Sequence, residues 1–424
     1  MPAPQPENAE TSRRGFVIYA IGQSVASTGT WMQRLAIGWL AWDLTHSVGW
    51  VGAMALTELV AALWVAPSSG VLVDRSNLFR LNLLLQGCAM LVALLLYAFT
   101  ETGMMTIWLL WALALADATW QGLAQPARMV AVSLLAGPKH MAQAIAVNSI
   151  GFNVARSVGP AVAGSIIIYF ATPMVFLVNI GAFGTMALVL LVLRPALNRP
   201  GAASRGAFLN DVVAGYRYIA RTPPVATIFL MVLAFSLLGR PFTELFPAIA
   251  GQMLGGGPAM LSLLMSAQGI GALAGGAWML RRRSIPALAR VTYGAGISMA
   301  LALLGFCIVG HGQIAIALIA LAGLGHVMCN IGMQSLAQLF AAREFRGRTM
   351  ALYGLIFRAG PAAAAALIGG LAEWFGLAPL IGASAVACAL CLSAVAFTRR
   401  GVFTPERTAP AAPPPRAGDE RGGL

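Results

Sequence analysis

Basic residues in this chain keep to every second gap between long apolar runs, and no other feature limits the fold as much. Twelve runs, each of about 20 residues and so able to span a bilayer, fall at 16–42, 48–67, 81–99, 104–124, 142–170, 174–193, 225–249, 258–280, 286–309, 313–340, 349–372 and 377–397. Arg13 and Arg14 precede the first run, Arg75 and Arg80 separate the second from the third, and Arg128 and Lys139 the fourth from the fifth. Arg194, Arg199, Arg205, Arg217 and Arg221 lie in the middle of the chain. Arg281, Arg282, Arg283 and Arg290 follow the eighth run, Arg343, Arg346 and Arg348 the tenth, and Arg399, Arg400, Arg407, Arg416 and Arg421 the last. The intervening connections, near His46, Glu101, Thr172, Gly256, His311 and Gly376, hold no Arg or Lys. Basic flanks are retained in the cytoplasm. The pattern therefore predicts an even number of helices and two cytoplasmic termini.

Composition agrees. The chain is 59% hydrophobic and 10% charged, against roughly 25% charged in soluble domains. Its net charge of +13 is a topology signal and excludes nucleic acid as the expected partner. Lys139 is the only lysine, a bias that points to a GC-rich bacterial genome and hence to the inner membrane. The five cysteines (Cys88, Cys307, Cys329, Cys388 and Cys391) all sit in apolar runs and form no secreted-type framework; Cys388 and Cys391 read as two buried small residues. Arg13-Arg14 resembles an export signal, but the run behind it is too long for one and lacks a small-residue cleavage site, so a retained first helix is expected.

The chain divides into a cytoplasmic segment 1–15, a first bundle 16–193, a cytoplasmic linker 194–224, a second bundle 225–397 and a disordered tail 398–424. Within the linker, Phe208 to Tyr216 has the pattern of a surface amphipathic helix. The two halves echo each other at an offset of about 205, as parallel repeats do in transporters: Gly159-Pro160 answers Gly360-Pro361.

Ionisable side chains inside a membrane cost at least about 2.5–3.5 kcal/mol each and usually face a cavity or a partner. The spans place Arg34 in helix one, Glu58 in two, Asp117 in four, Arg156 in five, Arg240 and Glu244 in seven and Arg358 in eleven. Glu373 lies near the outer end of helix eleven. Arg240 and Glu244, four apart, can pair on one helical face, as a neutral structural pair or as a binding element. Arg34 and Arg240, like Arg156 and Arg358, are approximate counterparts in the two halves, so basic groups from both could converge on an anionic or catechol-like substrate. Glu58 and Asp117 are candidates for proton exchange, since a carboxylate in low dielectric is harder to ionise; the alternative is that they only neutralise Arg34 or Arg156. Trp31, Trp39, Trp42 and Trp50 read as an interfacial belt, and Gly271 with Gly275 as a close helix contact.

Between helices two and three, Gly70-Val71-Leu72-Val73-Asp74-Arg75 with Arg80 resembles the G-x-L-a-D-r signature of the major facilitator superfamily. Pro126-Ala127-Arg128, then Ala146-Val147-Asn148-Ser149, Asn153, Arg156, Gly159, Pro160 and Gly164 are similar to its enterobactin-exporter-like efflux branch, as is Glu344-Phe345-Arg346-Gly347-Arg348-Thr349-Met350. Asn77-Leu78-Phe79 departs from the usual glycine and basic run. The resemblance implies an all-α membrane protein of twelve helices in two pseudo-symmetric six-helix bundles. It implies that Gly70, Asp74, Arg75 and Arg80 latch the cytoplasmic side when the outer side is open. It also implies an exporter of a small siderophore-like or drug-like molecule, working by alternating access and coupled to protons. An importer or uniporter of a small organic ion, or a membrane scaffold or sensor without turnover, remain the alternatives. The expected partners are a small-molecule substrate, protons and the bilayer, with the chain acting as a monomer. No cofactor or enzymatic chemistry is expected: G-x-x-x-x-G-K-[ST] is absent, and no His/Cys cluster has zinc spacing.

Overall fold

The computed structural model describes residues 6–198, 216–279, 285–309, 312–342, 345–399 and 402–403. Their regular structure is all helical: α1 Pro6–Thr45, α2 Val48–Arg75, α3 Leu78–Glu101, α4 Ile107–Phe170, α5 Thr172–Val192, α6 Pro223–Ala234, α7 Pro258–Met279, α8 Ile285–Val309, α9 Gly312–Phe340, α10 Arg346–Phe375 and α11 Leu377–Thr398. Side-chain caps start several of them. Ser47 accepts from Trp50 N, Asn77 from Arg80 N and Thr106 from Leu109 N, each satisfying one of the amides a helix start leaves orphaned.

Ten stretches among the described residues are long and apolar enough to cross a membrane. Two of them belong to α4, which is interrupted at Gly137 (φ 67°, ψ 169°); only glycine takes that left-handed φ without strain. The remaining two predicted crossings depart from simple apolar helices. α1 carries Gln23, Ser24, Ser27, Thr28, Thr30, Gln33 and Arg34, and its hydroxyls fold back on carbonyls four residues earlier, as Ser24 does on Ala20 (2.8 Å) and Thr28 on Ser24 (2.9 Å). The seventh crossing is broken. After α6 come a π segment Phe235–Gly239, a 3-10 turn Pro241–Thr243, one α turn Phe246–Ala248 and a second π segment Ile249–Met253. Pro241 and Pro247 each remove an amide donor and crowd the preceding turn. The carbonyl of Leu238 is recovered by the Ser384 hydroxyl (2.7 Å).

The first five helices pack among themselves, as do α7 to α11, and the halves meet where α2 lies on α10 and α4 on α7. Glycines allow these seams. A Cβ on Gly52 would stand 2.7 Å from the Ala365 carbonyl, and one on Gly369 2.7 Å from that of Val48. Gly271 and Gly275 seat α7 on the backbone of α9 at Ala320 and Leu324, the close contact their spacing predicts.

The buried core is divided unevenly. One apolar cluster holds only residues between Tyr19 and Leu197, at the end of the first half nearest the chain termini. The other joins both halves and takes from the first half segments at the opposite end, such as Met32 to Ala55 and Leu110 to Ala114. Ser47 donates to Glu373 there (2.8 Å), Trp42 packs on Gly251, and Gly38 on Pro247. The halves are thus closed against each other at the end remote from the termini.

Several expectations change. α1 begins at Pro6, ahead of the expected start at 16. Val402 and Phe403, placed by the sequence in a disordered tail, are buried, and Phe403 meets the Phe340 ring edge-on (5.3 Å). Trp39 and Trp42 are buried between helices, so they form no lipid-facing belt. Cys388 is buried but Cys391 is exposed. The proposed surface helix at Phe208 to Tyr216 lies outside the described residues except for Tyr216, and so do Arg281, Arg282 and Arg283.

Candidate functional site

Midway along the seam between the halves, Arg34 of α1 holds two carboxylates at once. Its Nη1 lies 2.7 Å from Glu58 Oε1 on α2, and its Nη2 lies 2.8 Å from Glu244 Oε2 in the broken seventh crossing. Glu58 belongs to the same half as Arg34, and Glu244 to the other. The break makes this possible: past Arg240 the chain turns through a 3-10 segment, so Arg240 and Glu244 do not share the regular helical face their spacing predicts. Arg240 instead donates to the carbonyl of Phe357 on α10 and lies over the Phe357 ring. The pair expected between Arg240 and Glu244 is replaced by a bond that crosses between bundles.

Arg156 of α4 comes to the same place, also against the Trp31 ring. The guanidinium carbons of Arg34 and Arg156 stand 5.4 and 5.5 Å from the Trp31 ring centre, within cation–π range. Arg358 departs from the cluster: it is exposed on α10 and forms no ion pair among the described residues.

Asp117 sits deeper in the first half. Its Oδ1 is buried without a hydrogen-bond partner among the described residues, beside the amides of Gln33 and Gln121, whose Nε2 atoms are also unpartnered. Gln33 Oε1 accepts from Asn179 (2.7 Å), and Gln121 Oε1 from Arg128 (2.7 Å). A polar row of amides therefore runs through a helix bundle with a carboxyl group at its centre.

The remaining motif residues do structural work or fall outside the description. Gly159 accepts the side chain of Trp31 and the carbonyl of Thr28 at close range. Pro160 offers its carbonyl to Ser262 of α7 (3.1 Å), and Gly164 packs on the same serine, so this stretch forms the second inter-bundle seam. Pro126 is half-buried and Asn148 lines a cleft beside Arg128. The surroundings of Gly70 and the side chains of Asp74 and Asn153 lie outside what the structure describes. Arg75 and Arg80 are exposed, and the connection between them is tied to the start of the linker, where Asn77 donates to Asn198 (2.8 Å).

Sequence reasoning missed His326 on α9. It is 1% exposed, neither ring nitrogen has a partner among the described residues, and Phe235 meets its ring edge-on (5.6 Å). Its position inside an apolar run is a visible signal, but a neutral imidazole stands out less there than a charged side chain. The amides Gln33, Gln121 and Asn179 were missed for a similar reason: they carry no charge.

Residues 9–415 match the family model described as transmembrane secretion effector. The uncharacterized MFS-type transporter YfiS of Bacillus subtilis (strain 168) is 28% identical over 258 residues, 57% of this chain and 60% of its own. The staphyloferrin A transporter of Staphylococcus aureus (strain NCTC 8325 / PS 47) is 23% identical over 254 residues, 58% of this chain and 62% of its own. The match thus spans about three-fifths of the length of these curated relatives. Among solved structures, a bacterial homologue of the human lysosomal transporter Spinster aligns at TM-score 0.70 and 12% identity, covering 97% of this chain and 100% of that one. A POT family transporter in complex with 5-aminolevulinic acid aligns at TM-score 0.71 and 11% identity, over 92% and 97%. At such identities the likeness establishes the fold alone. With the family match running over nearly its whole length, the chain belongs to the transmembrane secretion effector family of the major facilitator superfamily, and it is a multi-pass membrane protein.

Proposed function

We propose that this protein exports a small organic anion, siderophore-like in chemistry, across the bacterial inner membrane by alternating access coupled to proton entry. The observation that carries the proposal is the bond from Arg34 to Glu58 in its own half and to Glu244 in the other. An ion pair between two bodies that rock apart must break in each cycle, so its strength is part of the conformational equilibrium. In this reading residues 16–193 and 225–397 are the moving bodies, both termini are cytoplasmic, and the described state is closed to the outside. Asp117, with a buried oxygen lacking a partner, is the group whose protonation responds to access. Arg156 and Arg240 supply positive charge for the substrate from opposite halves, and a single chain suffices. The loop from Gly70 to Arg80 latches the cytoplasmic side in the opposite state. The similarity to a staphyloferrin A transporter supports a siderophore-like class.

The test uses protein in proteoliposomes with an imposed pH gradient and a panel of citrate-based and catecholate siderophores. Gradient-driven accumulation of a panel member, lost in Asp117→Asn, is expected. Flux that persists in Asp117→Asn and ignores the gradient would make the protein a uniporter. Flux only in the inward direction would make it an importer, and no flux of any panel member overturns the export reading.

A further inference from the structure

A cleft of about 90 Å³ opens in the wall of the first half, between α1 and the two arms of α4. Gln23, Gln125, Arg128 and Asn148 give it polar walls, and Trp31 with Phe152 give it an aromatic end. Among the described residues no acidic side chain lines it, although Asp117, outside the lining, also attracts Arg128. Arg128 has five N–H donors and gives one bond to Gln121, so it keeps a fork free for a planar anion. Trp31 and Phe152 meet edge to face (5.8 Å), and Phe152 is 49% exposed, leaving apolar surface for a ligand to cover. The volume suits about six to nine heavy atoms, at roughly 10–15 Å³ for each water-sized occupant.

We infer that this cleft is a carboxylate subsite, which seats one acid-bearing arm of the substrate against Arg128 while the rest of the molecule lies between the halves. The side-chain amides of Gln125 and Asn148 serve as neutral donors that complete the carboxylate's shell, and Phe152 covers the carbons next to it. Charge selects the class: an arginine fork in a lining that presents no acid repels a cation of the same shape. This inference rests on the transport reading for its meaning, though binding can be measured without turnover.

Fluorine NMR on the detergent-solubilised full chain compares 4-fluorobenzoate with 4-fluorobenzylamine, matched in shape and opposite in charge. Broadening of the benzoate signal alone is expected. Arg128→Gln should weaken its binding about tenfold or more, as loss of a charge-assisted fork implies. Because Arg128 also bonds Gln121, a second variant is needed: Gln125→Glu, at an exposed position, should fold normally, lose the benzoate and gain the benzylamine. Equal binding of both probes by the parent chain, or no change of preference in Gln125→Glu, overturns the subsite. Siderophore flux is measured on the same preparations. Selective benzoate binding without flux would sink the transport reading and leave the subsite standing; flux without benzoate binding would do the reverse.

Discussion

Arg34 decides most at the scale of single residues, because its two arms are not equal. The Glu58 side chain is 43% exposed and the Glu244 side chain 18%, so water screens the first arm more than the second. Removing the guanidinium leaves the more sheltered Glu244 short of a partner. Arg34→Ala should therefore lower stability by about 1–3 kcal/mol, and Glu58→Gln by less, both read from thermal unfolding in detergent. His326 gives the opposite expectation. Its ring is buried without hydrogen-bond partners among the described residues, and replacing such a group by an apolar one of similar size is neutral or stabilising. His326→Met should unfold at the same temperature or higher, and a clear fall in the unfolding midpoint would contradict that. The charged members of this site were readable from the sequence, since any Arg or Glu in an apolar run stands out. Glu58 as a neutraliser of Arg34 was one of the readings the sequence left open, but the bond to Glu244 was not legible, because Arg34 and Glu244 are 210 positions apart and periodicity reports only neighbours on one helix.

Among the elements, glycine and proline set what can move. Gly52 lets α2 lie against the backbone of α10 at Ala365, so a branched side chain there forces the seam apart. In Gly52→Val a cysteine placed at Ser47 should become reactive to a membrane-impermeant thiol reagent applied from the outer face, and it should stay unlabelled in the parent background. Gly137 holds a positive φ between the arms of α4, and Gly137→Ala should cost about 1 kcal/mol in the same unfolding assay. The individual helices were legible because apolar runs of bilayer length have few other fates. The seventh was misread as continuous: its apolar residues run on through Pro241 and Pro247, and only the two prolines announce the break. Belt tryptophans were misread too, since Trp39 and Trp42 look alike in sequence whether they meet lipid or another helix.

For the molecule as a whole, the division into two halves followed from alternating charge and from paired Gly-Pro steps, but nothing in the sequence indicated which end would be shut. That depends on contacts such as Ser47 with Glu373, which join residues far apart in the chain. Cysteines at these two positions, joined by a short bifunctional reagent, should abolish flux in proteoliposomes, and a cleavable version of the reagent should restore it. The shared guanidinium also makes the two bundles unlike partners. In the proposed cycle Arg34 travels with α1 and keeps Glu58 as a companion, while Glu244 departs on the opposite bundle. An unaccompanied carboxylate in that setting must find Arg240, a proton or a metal cation such as sodium. Whichever it recruits becomes a passenger of the stroke, and the energy of parting is set by how readily that passenger comes aboard.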